Sequence, residues 1–291
     1  MLFELGVNAV VSGLLLGGIY AVASLGLTIA FGLLEVPNVA HPTFMVLGAY
    51  CAYLGNLFGV DPVIASVIFA PAFYLVGMIF YQAYFVCFER RGRGNTLQSF
   101  TFFFGIAMVL EVSLILAVGV DLRSVTAPYI GKSLAIGFVT MPYRFIIPFV
   151  IGAVVGVGMW LFLSRTHLGL AIRAVAHDAK ALRIVALNPA QVKRHAFGIA
   201  MMTAALAGAA LIIVNPVDPF VGREYIGRSF AIVVLAGMGS VPGTLAAAVI
   251  IGLLESLVIT FVGATWAPGV AFAVLLATLA IRPSGIFGIA R

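Results

Sequence analysis

Long apolar stretches dominate the chain, and its polar positions collect in short segments between them. Several stretches match or exceed the roughly 17 to 25 residues that span a bilayer as a helix, and they lack the period-2 alternation of a membrane β-barrel. The pattern predicts spans near 7–32, 43–58, 62–88, 97–119, 143–163, 196–214, 243–262 and 266–281, with a short glycine-rich piece at 229–240. We expect one all-α domain over 1–291, a polytopic transmembrane helical bundle of about eight or nine spans with broken or re-entrant segments.

Composition agrees with this interpretation. Of the 291 residues, 63% are hydrophobic and 9% are charged, whereas soluble domains carry about 25% charged residues. The chain is therefore expected to be an integral membrane protein. Its first apolar run is expected to be retained as a span, because no basic segment precedes it and no small-residue cleavage site ends it.

Basic residues mark the cytoplasmic side. Of the sixteen Lys and Arg, three lie in 89–95, six in 164–195 and two in the tail, so the positive-inside rule places these three segments inside. They are Arg90, Arg91, Arg93; Arg165, Arg173, Lys180, Arg183, Lys193, Arg194; and Arg282, Arg291. The loops at 59–61, 120–142 and 215–225 then lie outside, so 229–240 must be either a short span or a re-entrant piece. The charge indicates topology and contact with anionic lipid, and we expect no binding of nucleic acid.

The longest cytoplasmic segment, 164–195, contains two predicted short helices, Ala171 to Ala176 and Ala179 to Leu187, with Asp178 as N-cap and a stop at Asn188 and Pro189. In the second helix a small apolar face lies beside basic residues; the face comprises Ala181, Ile184, Val185 and Leu187, and the basic residues are Lys180 and Arg183. Such a face fits a partner protein's groove, and it equally fits a connector lying on the membrane surface. Spacing alone leaves both interpretations open.

The stretch LLEVPNVAHPTF, Leu33 to Phe44, interrupts the first long apolar region. Pro37 and Pro42 forbid a continuous helix, and Asn38 and His41 supply hydrogen-bonding groups. Broken backbone at membrane depth is tolerated only where it is buried in protein or lines a cavity. The alternative is an ordinary cytoplasmic turn with Glu35 and His41 in water.

A second interruption lies in LAGMGSVPGTLAAAVIIGLLESL, Leu235 to Leu257, where a glycine-rich turn precedes Val241-Pro242. Val36-Pro37 occupies a comparable place in the first half. Matching interrupted segments in two halves indicate a translocation pathway built from a structural repeat.

Two carboxylates, Glu111 and Glu255, fall inside predicted spans and are functional candidates because charge in a membrane is costly. Packing or subunit contact is favoured over proton coupling. No catalytic or metal motif accompanies them: GKS at Gly131 to Ser133 lacks the first glycine of a phosphate loop, since that position is Thr126. We expect no enzyme, no metal and no cofactor in this chain, so any uphill transport must draw on an ion gradient or another subunit.

Three blocks resemble the permease subunits of bacterial ABC importers for branched-chain amino acids, the LivH type. They are GLLLGGIYAVASLGLTIAFGLLEVPNVAHPTFMVLGAY (13–50), HLGLAIRAVAHDAKALRIVALN (167–188) and AIVVLAGMGSVPGTLAAAVIIGLLE (231–255). The resemblance covers essentially the whole length.

The resemblance implies two sets of functional residues. An ATPase-coupling loop would include Gly169, Arg173, Ala174, Asp178, Ala181 and Asn188. A translocation pathway would run near Asn38, Ala40, His41, Gly237, Gly239, Ser240, Pro242 and Gly243. The chain departs from the family where Pro42 and Ala186 replace glycines.

The resemblance also implies the assembly: a second homologous permease, two cytoplasmic ABC ATPase subunits that bind the ATP, and a periplasmic solute-binding protein, in the bacterial inner membrane. The implied solutes are branched-chain or other hydrophobic amino acids; relatives that import urea, short amides or aromatic carboxylates are the alternative. Two rival hypotheses are a secondary transporter using Glu111 and a membrane scaffold without a pathway.

Overall fold

The computed structural model describes residues 2–92, 96–178, 181–184 and 186–288. Within them the α-helices are α1 Leu2–Leu27, α2 His41–Leu57, α3 Pro62–Cys87, α4 Thr96–Val118, α5 Tyr143–Arg165, α6 His167–His177, α7 Ala181–Ile184, α8 Pro189–Val214, α9 Gly222–Ala236, α10 Val241–Phe261 and α11 Ala267–Ile281. A π-helical turn, Thr28–Leu33, continues α1, and short 3₁₀ turns lie at Glu89–Arg91 and Ala264–Trp266. An antiparallel hairpin pairs β1 Ser133–Ile136 with β2 Val139–Pro142.

The expected multi-pass helical membrane fold is confirmed. Seven of the helices in the described ranges are long and apolar enough to cross a membrane. Two more are shorter, since α2 has 17 residues and α9 has 15. Apolar side chains surround most of these helices, as expected where one face meets neighbouring helices and the other meets lipid.

Helix α8 forms the centre of the bundle. It packs against α1, α2, α3 and α5, and it is rich in small residues that let helix backbones approach closely. Gly208 shows why: a Cβ at this position would overlap the α2 backbone at Met45 and Ala49. Gly198 meets Tyr74 of α3 in the same way. Close packing around α8 therefore depends on absent or minimal side chains.

Hydrogen bonds near the helix ends show which segments lie at the same end of the bundle. At one end the Asn8 side chain of α1 donates a hydrogen bond to Phe138 O and accepts one from Thr140 N, both in the hairpin. At the same end the backbones of Arg123 and Val217 form a β-bridge. At the other end Lys193 of α8 bonds Glu89 after α3 at 2.7 Å. This second end carries the predicted cytoplasmic basic segments. Of their residues, Arg93, Lys180 and Arg291 lie outside the described part of the chain.

The structure corrects three boundaries. Helix α8 begins at Pro189 instead of 196, so Lys193, Arg194 and His195 are helical and the inner connection runs from 166 to 188, shorter than the 164–195 expected. Asn188 caps α8 through its side chain, which accepts from Ala190 N at 3.0 Å, and Pro189 begins that helix instead of only ending the previous one.

The third correction concerns the short glycine-rich piece. Helix α9 covers Gly222–Ala236 instead of 229–240. Its first residue is buried against the backbone of Pro42 at the start of α2, so the chain already lies within the bundle where α9 begins. At 1.5 Å per residue this helix is about 22 Å long, less than the roughly 30 Å hydrocarbon core. Alone it is too short to cross that core, and it links the segment at 215–221 to the turn at 237–240.

Candidate functional site

The break between α1 and α2 is buried in protein. Asn38 and His41 are both 0% exposed, which excludes the alternative of a turn with His41 in water. The Asn38 side chain accepts from Ala40 N at 3.1 Å and holds the backbone at the start of α2. His41 Nε2 lies 3.1 Å from the carbonyl oxygen of Ala23 in α1. Glu35 alone in this segment is exposed, with φ of 57°.

The break between α9 and α10 is a glycine-rich turn. Gly237 and Gly239 have φ of 88° and 85°, a region in which a Cβ is strained. Ser240 then caps α10 by accepting from Gly243 N at 3.1 Å. Pro242, in the first turn of α10, is exposed, whereas Gly243 is buried. The turn is therefore fixed by backbone geometry and one cap.

The two breaks meet through residues at the end of the first helix. A Cβ on Gly32 would overlap the backbone of Gly239, and the Leu33 side chain also packs against that glycine. One turn away, the hydroxyls of Thr28 and Thr244 are 2.8 Å apart and both residues are 0% exposed. These two threonines were not among the sequence candidates.

The other pathway candidates lie elsewhere. Asn38 Nδ2 points at Met201 Sδ of α8, 4.0 Å away, and Ala40 is 0% exposed. A Cβ on Gly26 would overlap both His41 and Ala200. Asn38, Ala40 and His41 thus pack between α1 and α8, while Gly237 packs against the C-terminal segment near Ser284. The contact between the two breaks is made by Gly32 and Leu33 on one side and Gly239 on the other.

The candidate coupling residues belong to the inner connection. Gly169 is buried, and its amide donates to the Thr166 side chain that caps α6. Arg173, Ala174, Asp178 and Asn188 are all exposed. Ala181 begins α7, but its side chain and that of Arg183 lie outside the described part, as does Val185. Helix α6 extends over 167–177, longer than the expected 171–176.

The inner connection has an apolar exposed surface beyond α6. Ile184 is 87% exposed and Leu187 is 44% exposed. Helix α6 buries its opposite face, including Ile172 and Val175, against α5, α8 and the π turn of α1. The connection therefore presents one side outward and fastens the other side to the bundle.

The inner connection also lies beside the second break. Arg173, Ser240 and Pro242 line one cavity of 160 Å³, together with the end of α5. Helix α6 thus contacts the α1 turn directly and faces the α9–α10 turn across this cavity.

Both intramembrane carboxylates are ion-paired. Glu111 of α4 accepts two hydrogen bonds from Arg223 of α9. Glu255 of α10 accepts from Arg228 Nε at 3.1 Å and from Tyr20 OH at 2.5 Å. Sequence reasoning did not identify either arginine as a partner. The available signal was their position, because Arg223 and Arg228 lie outside the three cytoplasmic basic segments and next to a predicted short span.

Comparisons with known proteins support the same interpretation. A family model described as "Branched-chain amino acid transport system / permease component" matches residues 9–279. The permease protein BraD of a high-affinity branched-chain amino acid transport system from Pseudomonas aeruginosa is 27% identical, covering 96% of this chain and 94% of BraD. LivH of Salmonella typhimurium is 24% identical, with 95% and 94% covered. A probable branched-chain amino acid transport permease protein LivH from Methanocaldococcus jannaschii is 23% identical, with 99% and 95% covered.

Proposed function

Since this chain belongs to the family of permease components of branched-chain amino acid transport systems, we propose that it translocates branched-chain or other hydrophobic amino acids as the membrane subunit of an ABC importer. In this proposal a second homologous permease completes the membrane part. Two cytoplasmic ATPase subunits bind and hydrolyse the ATP, and a periplasmic binding protein delivers the solute. The chain transports and does not catalyse, and it resides in the bacterial inner membrane.

The observation that carries the proposal is the two-sided inner connection. Its outward side offers Ile184, 87% exposed, and Asp178 is exposed on the same connection. A cytoplasmic partner protein would cover this isoleucine together with Leu187 of the same connection, which is 44% exposed. Its inward side contacts the π turn of α1 and adjoins Ser240. This arrangement suits a segment that receives force from a cytoplasmic partner and transmits it to broken helices.

The mechanism follows from these contacts. Closure of the ATPase pair displaces α6 and α7, and α6 moves the ends of α1 and α10 that meet at Gly32 and Gly239. The first helix has a π turn there and α10 begins after a glycine-rich turn, and helices characteristically kink at such features. Access would then change from the outer side to the inner side.

The test compares two exposed isoleucines at opposite ends of the bundle. The complex is purified from its native membrane, its subunits are identified by mass spectrometry, and ATP-dependent uptake of labelled leucine is measured in proteoliposomes with the binding protein. We expect Ile184→Asp to abolish uptake and to lose ATPase subunits. Ile136→Asp, at a 61% exposed isoleucine of the outer hairpin, should retain them.

Charge reversals test the same inner connection without removing apolar contact. We expect Arg173→Glu and Asp178→Lys to uncouple ATP hydrolysis from uptake, while Lys132→Glu on the exposed outer loop leaves transport unchanged. If Arg173→Glu, Asp178→Lys and Ile184→Asp all take up leucine at the wild-type rate, the inner connection has no coupling role. A chain that purifies alone, under conditions that preserve related complexes, would contradict the importer itself.

A further inference from the structure

A polar cavity opens at the outer end of the bundle, away from both breaks. It has a volume of 460 Å³, within the range of about 300–1,000 Å³ that small-molecule sites occupy. Its walls come from α1, α5, α9 and α10, with the end of α8, the start of α11 and the residues beside these two ends. Solute arriving from outside would reach it before the inner turns.

The cavity places opposite charges side by side. Arg228 bonds the fully buried Glu255 at 3.1 Å, and its Nη1 lies 3.7 Å from Glu224 Oε2. The three side chains differ in exposure, at 1% for Glu255, 13% for Arg228 and 69% for Glu224. The inner contact is thus a tight hydrogen-bonded pair, whereas the outer contact is long and accessible.

Neighbouring groups hold Arg228 in place. Tyr20 OH donates to Glu255 Oε2 at 2.5 Å, so that carboxylate is bonded through both oxygens. The guanidinium carbon lies 5.8 Å from the centre of the Tyr20 ring and 5.7 Å from that of Tyr225, a distance at which rings attract cations. Glu255 and the two tyrosines therefore fix the guanidinium, and its outer edge faces the cavity beside Glu224.

The remaining walls include aliphatic side chains. Leu16, Ile19 and Ile259 line the same cavity. A zwitterion with an apolar side chain needs a cation for its carboxylate, an anion for its ammonium and an apolar wall. Ionic groups within membrane helices characteristically mark solute pathways or pair with one another. Here the three groups pair and also line a cavity.

We propose that this cavity is an outer binding site for the zwitterionic head of a hydrophobic amino acid, with Arg228 receiving the carboxylate and Glu224 the ammonium. The carboxylate replaces Glu224 at Arg228 Nη1, and the released Glu224 pairs with the ammonium. Glu255 and Tyr20 act as positioning residues. This inference rests on the proposed function, because it names where the transported solute first binds this chain.

Protection of a cysteine in the cavity tests the proposal. Ser12 is exposed and lines the cavity, so Ser12→Cys is made in the full complex with Cys51 and Cys87 of this chain replaced by alanine. Labelling of this chain by a cationic methanethiosulfonate reagent is followed by mass spectrometry, without ATP or binding protein. At about ten times Kd, L-leucine should leave roughly a tenth of the sites free and slow labelling about tenfold.

Matched ligands and variants make the test specific. Isopentylamine lacks the carboxylate and 4-methylpentanoate lacks the ammonium, and neither should protect at the leucine concentration used. Glu224→Gln should lose protection by leucine. Asp121→Asn, which removes an 81% exposed carboxylate from the outer loop, should keep it, with recovery of assembled complex checked for both variants.

The outcomes separate this inference from the importer proposal. Wild-type proteoliposomes that import leucine while leucine leaves labelling unchanged would overturn the binding site and preserve the proposed function. Equal protection by both analogues, or full protection in an assembled Glu224→Gln complex, would also overturn the zwitterion site. Wild-type proteoliposomes that import no hydrophobic amino acid would overturn the proposed function.

Discussion

Glu111 and Arg223 illustrate how a charge is accommodated inside this bundle. The Glu111 side chain is 9% exposed and that of Arg223 is 59% exposed, and the two are bonded through both carboxylate oxygens. Arg223 thereby gives this buried carboxylate a counter-ion and hydrogen-bond donors. The pair therefore favours a structural role for Glu111 over proton coupling.

Removing the two charges should have unequal effects. Arg223→Gln leaves the buried carboxylate without its counter-ion, whereas Glu111→Gln leaves an arginine that solvent or lipid headgroups can reach. We expect Arg223→Gln to lower the melting temperature of the purified complex more than Glu111→Gln does, and the double variant to recover part of that loss. Fluorescence-detected size exclusion after heating measures this order. An equal loss in the two single variants, with no recovery in the double, would contradict it.

Single residues also show what the sequence could and could not predict. Ala186 stands where the family has glycine, and its φ is 59°, a region in which a Cβ is disfavoured. The substitution could be seen in the sequence, but the positive φ could not be predicted from it. Asn38 and His41 were identified by the interrupted apolar pattern. The burial of these two residues could not be predicted, because it depends on packing against α8, more than 150 positions further along the chain.

At the scale of elements, a close backbone approach joins the π turn of α1 to the α9–α10 turn. Gly32 and Gly239 touch backbone to backbone, and Thr28 and Thr244 share a hydrogen bond. The sequence predicted two interrupted helices in comparable positions, since proline and glycine determine such breaks locally. It did not predict their contact, which requires the three-dimensional packing of α1 on α10.

A methyl group at this contact should be disruptive. Gly32→Ala places a Cβ against the Gly239 backbone, which has no flexible side chain to yield, and overpacking of this kind costs about 1–3 kcal/mol. We expect a lower melting temperature and loss of leucine uptake. Gly158→Ala in α5 is the matched control because nothing lies within 4 Å of its added Cβ. Wild-type uptake and stability in Gly32→Ala would show that the two turns do not pack together.

Helix boundaries were least predictable where charged residues lie in the first turns of a helix. Lys193, Arg194 and His195 suggested a loop, yet they form the first turns of α8. Partners explain this: Lys193 bonds Glu89 at 2.7 Å, and His195 Nδ1 lies 2.5 Å from Tyr74 OH. These partners belong to α3 and the turn after it, so the local sequence contains no sign of them.

For the whole molecule, the structure predicts an external start of α1 and an internal end of α11. In right-side-out cells lacking Cys51 and Cys87, we expect a membrane-impermeant thiol reagent to label Leu134→Cys in the outer hairpin. Ile184→Cys should react only after permeabilisation. Both side chains are exposed, at 37% and 87%. A difference in labelling would therefore report the side of the membrane on which each residue lies, and not its burial. Labelling of Ile184→Cys in intact cells would invert the topology.

The central position of α8 also has a consequence for biosynthesis. Helices α1, α2 and α3 leave the ribosome first, yet each packs extensively on α8, whose residues are made more than a hundred positions later. Until Pro189–Val214 has been inserted, the small-residue faces of those helices have only lipid, one another or a chaperone to meet. A nascent chain arrested before Pro189 should therefore be degraded by membrane proteases, and survival should rise once α8 has been translated. Stable assembly of the first half would thus require one helix from the second half, α8.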